Sequence, residues 1–179
     1  KPKKAETKPS QQRHLLTNAS FAFTPETMEA IEEGGKITKF RQNIRAIETM
    51  RKILADGRKP TREEQEIMAL YAGFGGIKEV FKPYDYSLGI DRRDIDKWVA
   101  AQKQLRELIG EDAYKSADRS TKNAHYTSPR IVQAMWRMAE RFGFQGGRVL
   151  EPSMGSGNFL GLTPSHLRSK TAFTGVELD

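Results

Sequence analysis

Three features of the sequence point to a mixed α and β protein, mostly helical, in which an amino-terminal helical region leads into the first βαβ unit of a Rossmann-like fold. Apolar residues recur at helical spacing from Phe40 to Ile53 and again from Ile95 to Ile109. Before residue 120 no stretch reads as a defensible strand. After it, Arg148-Val149-Leu150-Glu151 enters a glycine-rich turn, and a second β-like run, Ala172-Phe173-Thr174-Gly175-Val176, follows a helical crossover. That order is the opening of a right-handed parallel unit. The expected division is residues 1–20 as a disordered basic linker, 21–120 as a helical subdomain, and 121–179 as the start of an incomplete α/β domain.

Composition narrows the chemistry. With 37% hydrophobic and 30% charged residues the chain is polar but foldable, which sets aside collagen-like and wholly disordered classes. Cysteine is absent, so disulfides, thiolate metal sites and cysteine nucleophiles fall together. His14, His125 and His166 lie too far apart for metal-ligand spacing. No apolar run approaches the roughly 20 residues of a membrane helix, so no membrane partner is expected. The net charge of +7 is concentrated at the start: Lys1, Lys3, Lys4, Lys8 and Arg13 stand against Glu6 alone within residues 1–14. Such a tail adds sequence-independent phosphate attraction at most. The chain opens on Lys1 and is expected to be a piece of something longer.

The elements follow from local signals. Thr24-Pro25-Glu26 starts a short helix, with Thr as cap and Pro in the first turn, and Gly34-Gly35 stops it. Phe40, Ile44, Ile47 and Ile53-Leu54 predict a helix from about Thr38 to Asp56, closed by Gly57. Thr61-Arg62-Glu63-Glu64 is a capping box opening a helix to about Ala72, and Gly73-Phe74-Gly75-Gly76 reads as a tight loop. Asp94 to Ile109 is amphipathic, with Ile95, Trp98, Val99, Leu105, Leu108 and Ile109 available to one face. A shorter helix covers about Glu111–Ala117. Ser128-Pro129 opens another to about Arg141, whose buried side is expected to carry Ile131, Val132, Met135, Met138, Ala139 and Phe142. Pro164 interrupts the crossover after Leu162.

The chemistry sits in the turn after the first strand. Glycine at Gly155 and Gly157 removes the Cβ that would keep a ligand from the backbone amides. About 20 residues on, Glu177 ends the next strand, where an α/β nucleotide site keeps an acid for the ribose hydroxyls. A dinucleotide loop wants its third glycine three positions after the second. Here Gly161 comes one position late, and Phe159 stands inside the turn. No Gly-Lys-Ser or Gly-Lys-Thr occurs, which excludes a phosphate-binding P-loop. A loop that cradles no pyrophosphate suits an adenosyl ligand with an amino-acid tail, S-adenosylmethionine.

The run from Leu150 to Phe159 resembles the first cofactor motif of amino-group DNA methyltransferases, particularly the adenine-modifying ones. Ala124-His125-Tyr126-Thr127-Ser128-Pro129 resembles the Phe/Tyr-Thr-Pro motif they place just upstream, and Gly175-Val176-Glu177-Leu178-Asp179 closes the ordered set. Glu33-Gly34-Gly35-Lys36, Asn43, Ala46-Ile47 and Ala72-Gly73-Phe74-Gly75-Gly76 resemble the region before those motifs in large bacterial proteins of conjugative elements and phages, which join an adenine-type methylase to a helicase. In that family a Trp often stands where Phe74 is. The similarity covers about residues 24–179.

This resemblance implies an S-adenosylmethionine-dependent methyltransferase fold acting on DNA in the bacterial cytoplasm. It implies a cofactor site of Tyr126, Thr127, Glu151, Pro152, Ser153, Gly155, Gly157, Asn158, Phe159 and Glu177. The backbone around Ser153, Gly155 and Gly157 would line the methionine end. Glu151 would reach the amino group, Tyr126 and Thr127 would close over the same end, and Glu177 would hold the ribose. Pro152 and Phe159 would shape and pack the loop, while His125 reads as a loop residue. The Asn/Asp-Pro-Pro-Tyr/Phe motif that accepts the flipped adenine in those enzymes is missing, since the chain has no Pro-Pro pair. No catalytic residue is therefore assigned, and the chain alone is expected to be inactive.

Two further expectations follow. Short parallel strands would leave unpaired edges and exposed apolar surface at Val149, Leu150, Phe173 and Val176, favouring self-association. A second functional reading is a non-catalytic helical DNA-binding or interaction module with a vestigial cofactor fold. Clustering of Arg41, Arg45, Arg51, Lys52, Arg58 and Lys59 on one exposed helical face would support it, whereas scattering would favour an ordinary solvated helix. A methyltransferase for proteins or small molecules is a third, disfavoured by the helicase-linked helical segments.

Overall fold

A computed structural model describes residues 14–15, 21–121 and 127–177. Threonine caps act where the sequence puts them. Thr24 Oγ1 accepts from Thr27 N–H at 3.2 Å to open α1 (Pro25–Glu32), with Pro25 in the first turn. Gly35 begins α2 (Lys36–Ala55) without a side-chain cap, two residues before the expected start. The Thr61–Glu64 capping box is complete, opening α3 (Arg62–Ala69). Between residues 78 and 94 the chain makes three single 3₁₀ turns, Lys78–Val80, Tyr86–Leu88 and Arg92–Asp94. Then come α4 (Ile95–Ile109), α5 (Glu111–Ser120) and α6 (Pro129–Arg141). The crossover between β2 (Gly147–Glu151) and β3 (Thr171–Gly175) holds two one-turn helices, α7 (Asn158–Gly161) and α8 (Ser165–Arg168), separated at Pro164.

The pair β2–β3 is parallel, in register from Gly147↔Thr171 to Glu151↔Gly175. Of residues 1–20, expected as linker, His14–Leu15 are described. They form β1, which pairs antiparallel with Phe173 and Ala172, so β3 lies central in the order β1-β3-β2. The outer edge of β3, expected to be bare, thus has backbone partners at two positions. β2 remains an edge strand, and Leu150 and Val176 are exposed as expected. No helix among the described residues is long and apolar enough to cross a membrane.

Two cores form. The first joins Phe40 and Ile44 of α2, Trp98, Ala101 and Leu105 of α4, Tyr114 of α5, and Phe74, Ile77, Val80 and Phe81 from the intervening loops. Phe74, inside the glycine-rich loop, is an anchor here, edge-on to Phe81 at 5.9 Å between ring centres. Asn43 of α2 is fully buried and holds that loop from both sides. Its Nδ2 donates to Gly73 O at 2.6 Å and its Oδ1 accepts from Ala72 N–H at 2.8 Å. The second core gathers Val132 and Trp136 of α6 with Leu162 and Leu167, flanked by Phe23, Met28, Phe144, Val149, Phe159 and Phe173. Val149 and Phe173, expected to be under-buried, pack here. Residues 23–28, expected within the helical subdomain, also pack on this second core.

The expected inner face of α6 is corrected by the structure. Val132 is buried, but Ile131, Met135, Met138 and Phe142 are 55, 48, 53 and 84% exposed. The helix carries two apolar stripes, and the sheet can accept only one. Trp136 decides which, because its ring meets Phe144 and Phe173 and its Nε1 donates to Phe159 O at 3.1 Å.

Two predictions follow. Asn43→Ala strands a buried donor and a buried acceptor of the backbone, and should lower stability in urea unfolding by about 2–3 kcal/mol. At the α3 cap, hydrogen bonds from Arg58 and then from Thr61 N–H hold the Glu64 carboxyl at about 2, below its ordinary 4.5. A depressed folded value stabilises the ionised form above the ordinary range, and that contribution disappears as pH falls from 4.5 toward 2. A carboxyl NMR titration should place the Glu64 midpoint near 2, with Arg58→Ala moving it upward.

Candidate functional site

The strands β2 and β3 deliver Glu151 and Gly175 side by side, and the ladder runs one step further. Val176 N–H donates to Glu151 O, and Met154 N–H to Val176 O, both at 2.9 Å. The chain must therefore reverse between Glu151 and Asn158. Gly155 (φ +53°) and Gly157 (φ +78°) adopt the left-handed backbone this needs. A Cβ at Gly157 would meet no atom within 4 Å, so open space lies beside that backbone.

Both acids of the predicted site bind this turn. Glu177 Oε2 accepts from Gly155 N–H at 2.5 Å, and Glu151 Oε1 accepts from Ser153 N–H at 3.4 Å. Met154 lies over β3, where a Cβ on Gly175 would run into its Sδ. Asn158 is buried at the exit of the turn. Its Nδ2 donates to Thr127 O at 2.9 Å, and its Oδ1 lies 3.2 Å from Ser156 Oγ. This one side chain ties the segment before α6 to the glycine turn. α7 is a single turn, so the site rests on backbone geometry and side chains instead of a helix dipole.

A cavity of about 310 Å³ opens beside Asn158. The turn and the segment before α6 supply Ser156, Asn158, Thr127, Ser128 and Pro129. The opposite wall comes from the helical region: Ile31, Glu32, Lys39, Ala72, Gly73 and Ile77. Here the glycine-rich loop that Asn43 fixes faces the glycine turn after β2. Glu32 is engaged by Arg130 of α6 at 3.2 Å, and Lys39 Nζ lies 3.4 Å from Glu32 O.

Among the predicted site residues, Thr127 and Asn158 line the cavity. Gly155, Gly157, Glu151 and Glu177 belong to the adjoining turn, with Glu177 on the Gly155 amide and not among the cavity's lining groups. Pro152 and Ser153 are exposed on its outer side. Phe159 is partly buried against the second core. Tyr126, His125, Leu178 and Asp179 lie outside the described residues. Sequence reasoning passed over Lys39, Glu32 and Ser156. The signal for the opposing wall was the glycine density at residues 73–76, which marks close backbone approach without saying to what.

The basic residues of the helical region do not form one cluster. Arg51 donates to Leu108 O, and Arg58 is held by Asp56 and Glu64. Arg41, Arg45 and Lys52 are exposed at helical spacing along α2, with Glu48 on the same stripe. His166 pairs with Glu140 at 2.6 Å, and no acid–histidine group among the described residues could hold a metal.

Compared with protein-family models, curated proteins and solved structures, the chain matches none.

Replacing Asn158 by Ala removes the tie to Thr127 and leaves a carbonyl to be rehydrated. The segment around Thr127 should then exchange amide hydrogens faster by the equivalent of about 1–3 kcal/mol, while the protection of α2 and α4 is unchanged.

Proposed function

We propose that this chain holds the cofactor-binding part of an S-adenosylmethionine-dependent DNA methyltransferase of the adenine-modifying kind. The observation that carries the proposal is the convergence of Thr127, Ser156 and Asn158 on one cavity, next to a turn whose glycines take left-handed backbone and whose Gly155 amide meets Glu177. When bound, S-adenosylmethionine supplies an electrophilic methyl group. The protein's part is to bind and orient it. Glu177, two residues past β3, accepts hydrogen bonds from the ribose hydroxyls, and its contact with Gly155 already sets it against the turn. The open space beside Gly157 leaves the turn's backbone approachable, and Asn158 keeps the Thr127 segment closed over the other end. Glu151 holds the first residue of the turn through Ser153 N–H, which supports a shaping role beside the amino-group role that the resemblance implies.

Methyl transfer itself is not assigned to these residues, because the chain carries no Pro-Pro motif to receive an adenine. DNA enters this reading as the substrate of such an enzyme. The alternative of a non-catalytic DNA-binding module draws less support, since three of the six basic residues it relies on are engaged elsewhere or offset from the α2 stripe, and Glu48 interrupts that stripe.

Calorimetric titration with S-adenosylmethionine tests the proposal. Binding should be measurable, and Glu177→Ala should weaken it by roughly 1–3 kcal/mol. A wild-type protein that binds no S-adenosylmethionine would overturn the assignment.

A further inference from the structure

We propose that the helical region supplies the anion-recognising wall of the cofactor site, with Lys39 taking the α-carboxylate at the amino-acid end of the ligand; this rests on the cofactor reading above. The glycine turn lies between Glu177, which touches Gly155, and the cavity, which Ser156 and Asn158 line. A ligand whose ribose end meets Glu177 and whose tail crosses the turn enters that cavity. Among the described residues, two that line it are ionisable, Glu32 and Lys39. Glu32 is committed to Arg130, whereas among the described residues Lys39 Nζ donates to a backbone carbonyl, Glu32 O, at 3.4 Å and pairs with no carboxylate. Among the described lining residues the ammonium is therefore the charge left to answer an anion, and Thr127 and Ser156 line the same cavity from the side of the turn.

Lys39 is also well placed to act. It lies four residues before Asn43, on the same face of α2, and Asn43 fixes that face to the Gly73 loop at 2.6 Å. A half-buried ammonium on a fixed helix face binds a carboxylate with less lost freedom than a surface lysine.

The test compares two thioether nucleosides that differ only beyond the sulfur: S-adenosylhomocysteine, which has the amino-acid tail, and 5′-methylthioadenosine, which lacks it. Lys39→Met should weaken S-adenosylhomocysteine at least about tenfold and leave 5′-methylthioadenosine within about twofold. Lys39→Arg, which keeps the charge, should restore most of the loss, and an unchanged melting temperature for both variants separates the effect from folding. Equal losses for the two nucleosides, or no loss for either, overturn the role of Lys39 and leave the cofactor reading standing. A wild-type protein that binds neither nucleoside overturns both.

Discussion

The carbonyl of Gly161 takes two donors, and the relation between the helical region and the sheet hangs on that junction. Phe23 N–H donates to it at 3.0 Å and Arg168 Nη2 at 2.5 Å, while Arg168 Nη1 reaches Phe21 O at 3.2 Å. The Phe23 ring lies so close over Gly161 that a Cβ there would run into it. Gly161, one position late for a dinucleotide loop, is thus required for a different contact: the approach of the strand-like segment before α1. Arg168 is buried among carbonyls, and loss of hydration lowers its pKa. Carbonyl bonds offset part of that cost, and the side chain in return fastens residues 21–23 to the crossover. On the far side, Arg62 of α3 covers the Phe21 ring at 4.4 Å, so the same short segment also touches the helical region.

From that junction the cavity follows by geometry. α1 leaves the Phe23 contact and runs along α6, with Met28 in the second core and Glu32 paired to Arg130. The chain then turns at Gly34 and enters α2, which carries Lys39 and Asn43 past the Gly73 loop. Among the described residues two cores form, each centred on its own large aromatic residues, and α1, which packs Met28 on the second, leads through Gly34 into α2 of the first. Among the described residues, the cavity is lined by apolar Ile31, Ala72, Ile77 and Pro129 together with Gly73, polar side chains of the turn and the segment before α6, and the charged Glu32 and Lys39. No single element makes this cavity, and the helical region is as much its wall as the glycine turn and the start of α6 are.

The parts of this arrangement legible in the sequence are those whose cause is local. Thr24 and Thr61 cap the helices they precede, Pro164 breaks the crossover, and the glycine-rich run turns the chain after β2. α6 shows where local reasoning fails. Its richer apolar stripe, from Ile131 to Phe142, stays exposed, because the choice between faces depends on what the sheet presents. Val149, Phe144 and Phe173 form a slot suited to an indole, and Trp136 fills it. The cavity was hidden for a related reason: Lys39 and Asn158 are far apart in the chain, and neither has a neighbour in sequence that hints at the other. The 3₁₀ turns between residues 78 and 94 leave no periodic signal, and their burial comes from Val80 and Phe81 entering a core built by distant helices.

Glu177 carries the last consequence. Its carboxylate caps the Gly155 amide, so the turn has a bonding partner before any ligand arrives. A glycine turn with uncapped amides would lose order, since glycine has the most conformational freedom to recover. The acid therefore stabilises the turn it is proposed to serve. Any ligand that draws on the same carboxylate competes with that cap and binds less tightly than its contacts alone would suggest, unless the Gly155 amide is satisfied in turn by the ligand itself. An adenosyl ligand with acceptor oxygens on its ribose and tail meets that condition, whereas an apolar ligand does not. The proposed preference for a polar nucleoside thus draws on the turn's own need for an acceptor as well as on the charge of Glu177.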